Sequence, residues 1–228
     1  MKLSVIMPVY NEEATVEEIV ARVMAEGHEK ELIIVDDGSL DDTSAILERL
    51  SERYGNTIKF LRHETNKGKG AAVRTALTQV SGDVVIIQDA DLEYDPRDYE
   101  GLVGPIKEGT ADVVYGSRFI KGRRGALLGN YLANRFLTFL TNLLYNANLT
   151  DMETCYKAMR ASLLEDLVLR SNAFDIEPEI TAKLLKAAAR VCEVPIRYAG
   201  RTHQEGKKIG WRDGLQAIWA LLKYRFTD

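Results

Sequence analysis

The chain has 228 residues, 46% of them hydrophobic, which is enough for one substantial core in a single unit spanning 1–228. Its formal net charge of -4 gives no global attraction to nucleic acid. Cys155 and Cys192 have neither metal-ligand spacing nor a disulfide framework, which fits a reducing cytosol. The apolar run at 3–7 is too short for a signal peptide, and no stretch of about 18 apolar residues predicts a transmembrane helix.

Short apolar runs and amphipathic segments alternate along the first half of the chain. The apolar runs predict strands at 3–9, 31–35, 57–61, 84–88 and 111–115. Helix-capping residues and apolar residues at helical spacing predict helices within 11–23, 41–50, 66–80 and 96–107. Strands that alternate with helices predict an α/β fold, in which helices cover both faces of a mostly parallel central sheet.

Acidic residues follow three of these strands, at the edge where an open parallel sheet binds its ligands. They are Glu12 after the first strand, Asp36 and Asp37 after the second, and Asp89 and Asp91 after the fourth. Because side chains two apart on a strand share a face, we expect the carboxylates of Asp89 and Asp91 to point into one crevice.

Asp89, Asp91 and Glu93 together are a good set of oxygen ligands for Mg²⁺ or Mn²⁺, and such an ion usually holds a diphosphate. Asp91 is the best candidate ligand, with Asp89 beside it. Asp37 or Glu12 could accept hydrogen bonds from a nucleobase or a ribose. The alternative is that these aspartates are solvated turn residues after buried strands.

A glycine- and lysine-containing segment, 66–70, precedes a predicted helix. Free backbone N–H groups at a helix start and the charge of Lys69 both favour phosphate. The spacing is not that of a Walker loop, and no dinucleotide fingerprint follows the first strand. A plain flexible turn is the alternative for this segment.

Three segments, 5–12, 35–39 and 89–91, resemble the signature segments of family 2 glycosyltransferases with the GT-A fold. The sequence Gly-Ser-Arg-Phe at 116–119 is similar to the branch of dolichyl-phosphate mannose synthases and bacterial polyprenyl-phosphate glycosyltransferases. This resemblance implies an inverting, metal-dependent transfer of a hexose from a nucleotide-diphosphate sugar, GDP-mannose or a UDP-sugar, to a polyprenyl or dolichyl phosphate.

By matching position, the resemblance also implies which residues bind the donor. The residues that match the family's donor site are Pro8, Tyr10, Glu12, Asp37, Ala90, Arg201 and Lys207. Asp36, at the end of a strand, and Lys69, at the start of a helix, are expected beside them at the nucleotide sugar. Asp89, Asp91 and Glu93 would line the diphosphate and its metal, and the segment 201–208 would close over the donor. His203 is a candidate general base, or else an ordinary surface histidine.

The second half of the chain contains a basic segment, because 117–150 has no Asp or Glu. Arg118 and Arg135 are the residues we expect on an acceptor phosphate, since a guanidinium matches phosphate oxygens. Gly122 and Gly125 would let the loop between the two arginines move over the site. A solvated basic loop is the alternative. The motif at 150–157 and Asp175 depart from the family pattern, which leaves the sugar and the acceptor open.

Two amphipathic segments, within 117–149 and at 211–226, combine an apolar stripe with basic residues. They could lie on a bilayer, pack into the core or bind a membrane partner subunit. We expect a peripheral enzyme on the cytoplasmic face of a membrane. The alternatives are a soluble family 2 enzyme that acts on a small hydroxyl or phosphate compound, and a non-catalytic sugar-nucleotide-binding subunit. A phosphate acceptor needs no strong base, whereas a hydroxyl would need one such as Asp151.

Overall fold

The computed structural model describes residues 1–121, 128–201 and 210–227 of the chain. Its strands are β1 (Leu3–Val9), β2 (Lys30–Asp36), β3 (Ile58–Arg62), β4 (Val84–Ile87), β5 (Val113–Ser117), β6 (Lys157–Arg160) and β7 (Val191–Pro195). Its helices are α1 (Val16–Ala25), α2 (Thr43–Tyr54), α3 (Lys69–Leu77), α4 (Tyr99–Lys107), α5 (Leu128–Tyr145), α6 (Ala161–Glu165), α7 (Ile176–Lys186) and α8 (Trp211–Phe226). Short 3₁₀ turns lie at Gly55–Thr57 and Pro96–Asp98.

The seven strands form one sheet in the order β3-β2-β1-β4-β6-β5-β7. Only β6 runs antiparallel to its two neighbours among the described strands, so the predicted mostly parallel α/β fold is confirmed. The five strands predicted in the first half are all present. Strands β6 and β7 were not predicted, because β6 has four residues, including a buried lysine, and β7 is largely half-buried.

The register of the sheet brings the carboxyl ends of β1, β2 and β4 to one edge. Val9 of β1 is opposite Asp36 of β2, and Ile6 is opposite Ile87 of β4. The turn after β2 depends on Gly38, whose φ of +75° is unfavourable for other residues. A Cβ atom there would also lie 2.7 Å from the backbone of Thr65. The sheet edge and this turn together position the acidic residues that follow β1 and β2.

Helices α5 and α8 pack against each other at one side of the sheet, where the hydroxyl of Tyr145 donates to the carbonyl of Leu221 at 2.7 Å. Their outer faces are apolar and exposed. The exposed side chains are Leu132, Phe136, Phe139 and Leu143 on α5, and Leu215, Trp219, Leu222 and Phe226 on α8. The two predicted amphipathic helices are therefore present. None of the described helices is long and apolar enough to cross a bilayer.

Candidate active site

A cavity of about 1180 Å³ opens at the carboxyl edge of the sheet. Residues that follow β1, β2 and β4 line one end, where Tyr10, Asp37 and Asp91 lie. Residues from α5 and α8, including Phe136 and Leu215, line the other end. One continuous space therefore joins an acidic region to the two helices that expose apolar side chains.

Asp89 and Asp91 both line this cavity, but they do not lie on a strand. Strand β4 ends at Ile87, so the two-residue periodicity used to predict their shared direction does not apply. Asp89 Oδ1 pairs with Lys69 Nζ at 2.7 Å. Glu93 uses its two oxygens to accept from the Tyr198 hydroxyl at 2.9 Å and from the Arg201 backbone N–H at 2.6 Å. The predicted three-carboxylate cage is not seen. Within the described residues, no three or more His, Cys, Asp or Glu side chains come together in a way that could hold a metal ion.

Asp91 is the carboxylate best suited to a cation. Burial, followed by the neighbouring charges of Asp89 and Glu93, raises the pKa of Asp91 to about 7. The nearest described cation is the Arg201 guanidinium, with Nε 3.8 Å from Asp91 Oδ2. Mg²⁺ is commonly held by one or two carboxylates together with substrate phosphates. The concentration of negative charge at Asp89, Asp91 and Glu93 fits that kind of site.

Arg201 lies across the acidic end of the cavity. Its Nη2 is 2.9 Å from Glu12 Oε2, and the Thr15 hydroxyl also contacts Glu12 at 3.0 Å. These contacts, together with the approach to Asp91, hold the guanidinium over the region that was predicted to bind the donor. The structure therefore brings Arg201 and Glu12 to the predicted place. Lys207, His203, Gly122 and Gly125 lie outside the described residues.

Asp37 lines the cavity and is held by three hydrogen bonds. His63 Nδ1 is 2.6 Å from Oδ1, and the backbone N–H groups of Lys67 and Gly68 donate to the two oxygens at 2.9 and 2.7 Å. Pro8, Tyr10 and Ala90 also line the cavity, as predicted for donor contacts. Asp36 does not line it. That side chain is buried, accepts from the Ser39 backbone N–H at 2.9 Å and lies 3.5 Å from Arg62 Nε, so it supports the turn.

Several backbone donors at the start of α3 are already bonded within the protein. The N–H groups of residues 67 and 68 already bond to Asp37, and the N–H of Ala71 bonds to the Asn172 carbonyl at 3.2 Å. Lys69 Nζ lies between Asp89 Oδ1 at 2.7 Å and Glu177 Oε1 at 3.1 Å. Lys69 lines the cavity, but its charge is offset by these two carboxylates, so its contact with phosphate stays a prediction. The residue instead ties the end of β4 to α7.

Arg118 lines the middle of the cavity and is paired with Asp151. Its Nε and Nη2 each donate to Asp151 at 2.7 Å, and its guanidinium lies over the rings of Phe119 and Tyr198. The pair leaves Nη1 outside these two bonds. Arg135 lies beside the cavity, is exposed, and donates through Nη1 to the Thr150 carbonyl at 3.4 Å. Arg118 therefore lines the cavity, whereas Arg135, which was predicted to bind the same acceptor phosphate, does not.

Several residues at the cavity wall were not predicted from the sequence. The most notable are Tyr94, Glu153, Glu177 and Tyr198. The second carboxylate oxygen of Glu177 pairs with the buried Lys157 Nζ at 2.5 Å. The acidic run at 173–179 was visible in the sequence, but its partners on α3 and β6 come together only in the folded chain.

An α/β sheet with an acidic cavity at its carboxyl edge is the arrangement of GT-A glycosyltransferases, and the GT-A fold predicted for this chain is confirmed. Residues 4–168 match the sequence profile of Glycosyl transferase family 2, so the chain belongs to that family.

Curated relatives and solved structures agree with this assignment. The chain is 31% identical to a dolichol-phosphate mannosyltransferase of Pyrococcus furiosus, over 98% of this chain and 64% of that protein. It is 27% identical to a dodecaprenyl-phosphate galacturonate synthase of Rhizobium johnstonii, over 91% of this chain and 62% of the relative. The chain therefore spans less than two thirds of the length of these relatives.

Among solved structures, the fold matches glucosyl-3-phosphoglycerate synthase from Mycobacterium tuberculosis with a TM-score of 0.75. The match has 22% identity and covers 98% of this chain and 79% of the other. That structure is a complex with Mn²⁺, uridine diphosphate and glucosyl-3-phosphoglycerate.

Proposed function

We propose that this chain transfers a hexose from a nucleotide-diphosphate sugar to a polyprenyl or dolichyl phosphate at a membrane surface. The observation that carries the proposal is the continuity of the cavity, which runs from Asp37 and Asp91 to the α5 and α8 residues Phe136 and Leu215. A donor with a polar nucleotide and an acceptor with an apolar tail need these two different environments joined in one space. Relatives curated as polyprenyl-phosphate sugar transferases support the same acceptor class.

The donor would occupy the acidic end of the cavity. Tyr10 and Asp37 would contact the nucleoside, with Asp37 kept in place by His63 and the backbone at 67–68. Arg201 would contact the diphosphate, since a guanidinium matches its oxygens. Asp91 would hold Mg²⁺ or Mn²⁺, and the ion would supply positive charge where the leaving diphosphate becomes more negative. Mn²⁺ in the mycobacterial relative supports this choice of ion.

The acceptor phosphate would lie near Arg118, between the donor and the two apolar helices. A phosphate monoester is mostly dianionic at neutral pH, since its second pKa is about 6, so it attacks without a strong general base. Asp151 is fully buried and is bonded twice to Arg118, which makes it unsuitable as that base. In-line attack on the anomeric carbon would invert its configuration.

The exposed faces of α5 and α8 would lie on the membrane. Phe139 is 62% exposed and Trp219 is 67% exposed, and Arg212 and Arg225 lie among the apolar residues of α8. Aromatic and basic side chains around an apolar stripe are typical of helices at an anionic bilayer surface. A cytoplasmic face is consistent with the free thiols of Cys155 and Cys192. A membrane partner subunit that covers the same faces is the alternative outcome.

The transfer reaction can be tested with purified protein, Mn²⁺, undecaprenyl phosphate in detergent, and labelled UDP- and GDP-sugars taken one at a time. We expect label in the organic phase with one donor. Asp91→Asn should abolish it, whereas Asp166→Asn, the same change at an exposed surface residue, should not. Transfer only to water-soluble acceptors would contradict the lipid acceptor, and an active Asp91→Asn protein would contradict the role of Asp91.

Membrane contact can be tested separately by flotation with vesicles that contain anionic lipid. Burial of each large apolar side chain contributes about 1.5–3 kcal/mol, so Phe139→Ser with Trp219→Ser should lower vesicle binding by more than about tenfold. Leu40→Ser is the matched control, because Leu40 is 87% exposed in the turn between β2 and α2. Equal binding by the double variant and the control would show that α5 and α8 do not face the bilayer.

A further inference from the structure

Glu153 is a half-buried acid at the cavity wall to which the proposed mechanism assigns no task. Its Oε1 is fully buried and has no hydrogen-bond partner within residues 1–121, 128–201 and 210–227. An unpaired buried carboxylate oxygen costs free energy, because it has lost water and gained no donor. The residue as a whole is half-buried and lines the cavity, so a ligand there can donate an O–H or N–H group to its carboxyl.

The charges around Glu153 are already balanced among themselves. Lys157 is paired with Glu177 at 2.5 Å, and Arg118 is paired with Asp151 at 2.7 Å. These four groups are the ones that influence the Glu153 carboxyl electrostatically, and burial raises its pKa to about 7. Since both cations are already paired, a phosphate in direct contact with the Glu153 carboxylate would be repelled, whereas a neutral hydroxyl would be accepted. The acceptor phosphate would instead contact Arg118 through Nη1, which takes no part in the two bonds to Asp151.

The chain places Glu153 between the two reacting ends of the cavity. Two residues before it, Asp151 bonds to Arg118 at the proposed acceptor phosphate. Two residues after it, the Cys155 thiol lies 3.7 Å from Lys69 Nζ, which in turn pairs with Asp89 at the proposed donor end. The group that passes from donor to acceptor must lie between these ends.

We propose that Glu153 binds the transferred sugar by accepting a hydrogen bond from one of its hydroxyl groups, and that it thereby helps to select the sugar. This inference rests on the proposed function and deepens it. The bond involves the hexose alone, so it should contribute to the affinity for a nucleotide sugar and leave the affinity for the matching nucleoside diphosphate unchanged.

The test is calorimetric binding, in Mn²⁺, of UDP-glucose against UDP and of GDP-mannose against GDP. The proteins compared are the wild type, Glu153→Leu and Glu153→Gln. A hydrogen bond to a charged group corresponds to about a tenfold to hundredfold change in affinity. We expect Glu153→Leu to lose this factor for the nucleotide sugar and nothing for the diphosphate. Glu153→Gln keeps an acceptor oxygen and should lose less. Unchanged diphosphate binding also shows that each variant is folded.

Each other outcome has a distinct meaning. If the wild type binds the nucleotide sugar and Glu153→Leu binds it equally well, the sugar contact is wrong and the proposed function stands. An equal loss for the nucleotide sugar and the diphosphate would also overturn the contact. Unchanged donor binding with a lower kcat would make Glu153 a proton acceptor for a hydroxyl nucleophile instead. If the wild type binds no nucleotide sugar from the panel, the proposed function itself fails.

Discussion

The raised pKa of the Glu153 carboxyl leads to a quantitative prediction about the stability of the fold. In the unfolded chain its pKa has the ordinary value of 4.5, and in the folded chain it is about 7. Between these values the folded state binds more protons than the unfolded state, so this group destabilises the fold as the pH rises through that window. This difference in pKa corresponds to about 3 kcal/mol, of which about 2–3 kcal/mol develops between about pH 5 and pH 8.

Replacing Glu153 with Gln removes the charge and nearly preserves the shape. We therefore expect Glu153→Gln to gain stability relative to the wild type as the pH rises. The difference between their free energies of unfolding should be about 2–3 kcal/mol larger at about pH 8 than at about pH 5. Urea unfolding at several pH values measures this difference directly. Comparison of the two proteins at each pH also cancels the contribution of Asp91, whose pKa is likewise about 7.

The control for this experiment is Glu165→Gln, which makes the same chemical change at an exposed position at the end of α6. Its effect on the free energy of unfolding should stay within about 0.5 kcal/mol, as for ordinary surface substitutions. If Glu153→Gln behaves like Glu165→Gln across the pH range, the Glu153 carboxyl is solvated in the protein. Its Oε1 would then not be an unsatisfied buried oxygen, and the reasoning from it would be refuted.

Three further predictions concern charge in the cavity. Arg201→Ala should abolish most of the thermal stabilisation by UDP or GDP with Mn²⁺, whereas Arg197→Ala, which removes an exposed ion pair, should not; equal shifts in both would contradict the role of Arg201. Asp151→Ala should lower the free energy of unfolding by about 3–5 kcal/mol, because Arg118 is left buried and unpaired. Adding Arg118→Leu to the same chain should recover part of this loss, and urea unfolding measures both effects. Chelation of divalent ions should weaken diphosphate binding at least about tenfold in calorimetry, because the negative charges of Asp91 and the diphosphate then repel each other. At a separation of about 4 Å and an effective dielectric constant of about 20, this repulsion is about 4 kcal/mol. Binding that resists chelation would contradict the metal site.

Local sequence patterns predicted the fold and the position of the site. Apolar runs identified β1, β2 and β4, and the residues that end these strands marked the ligand edge of the sheet, because both signals depend on neighbours along the chain. The helix predicted at 211–226 also has those bounds in the structure. Short or half-buried strands such as β6 and β7 carry no such signal, and the antiparallel insertion of β6 between β4 and β5 depends on tertiary packing.

The ion pairs at the site could not be predicted in the same way. Lys69 was expected to bind phosphate because it begins a helix, but its amine pairs with Asp89 and Glu177. Asp36 and Asp37 are adjacent in sequence and look equivalent, yet only Asp37 reaches the cavity. These outcomes depend on which distant elements approach each side chain, and a single sequence does not contain that information.

The pairing of the cavity's cations determines how an anionic donor can bind. Among the described residues that line the cavity, Lys69, Arg118 and Arg201 are each already paired with a carboxylate. A sugar diphosphate would therefore enter a cavity whose remaining charge, at Asp91, Glu93 and Glu153, is negative. It can bind there if it arrives with a divalent ion, or if Arg201 exchanges its contact with Glu12 for the diphosphate. Arg201 is the cation best placed for this exchange, because Asp89 and Glu177 enclose Lys69 and Asp151 takes two nitrogens of Arg118. Because its cations are already paired with carboxylates, the cavity favours a donor that brings its own metal.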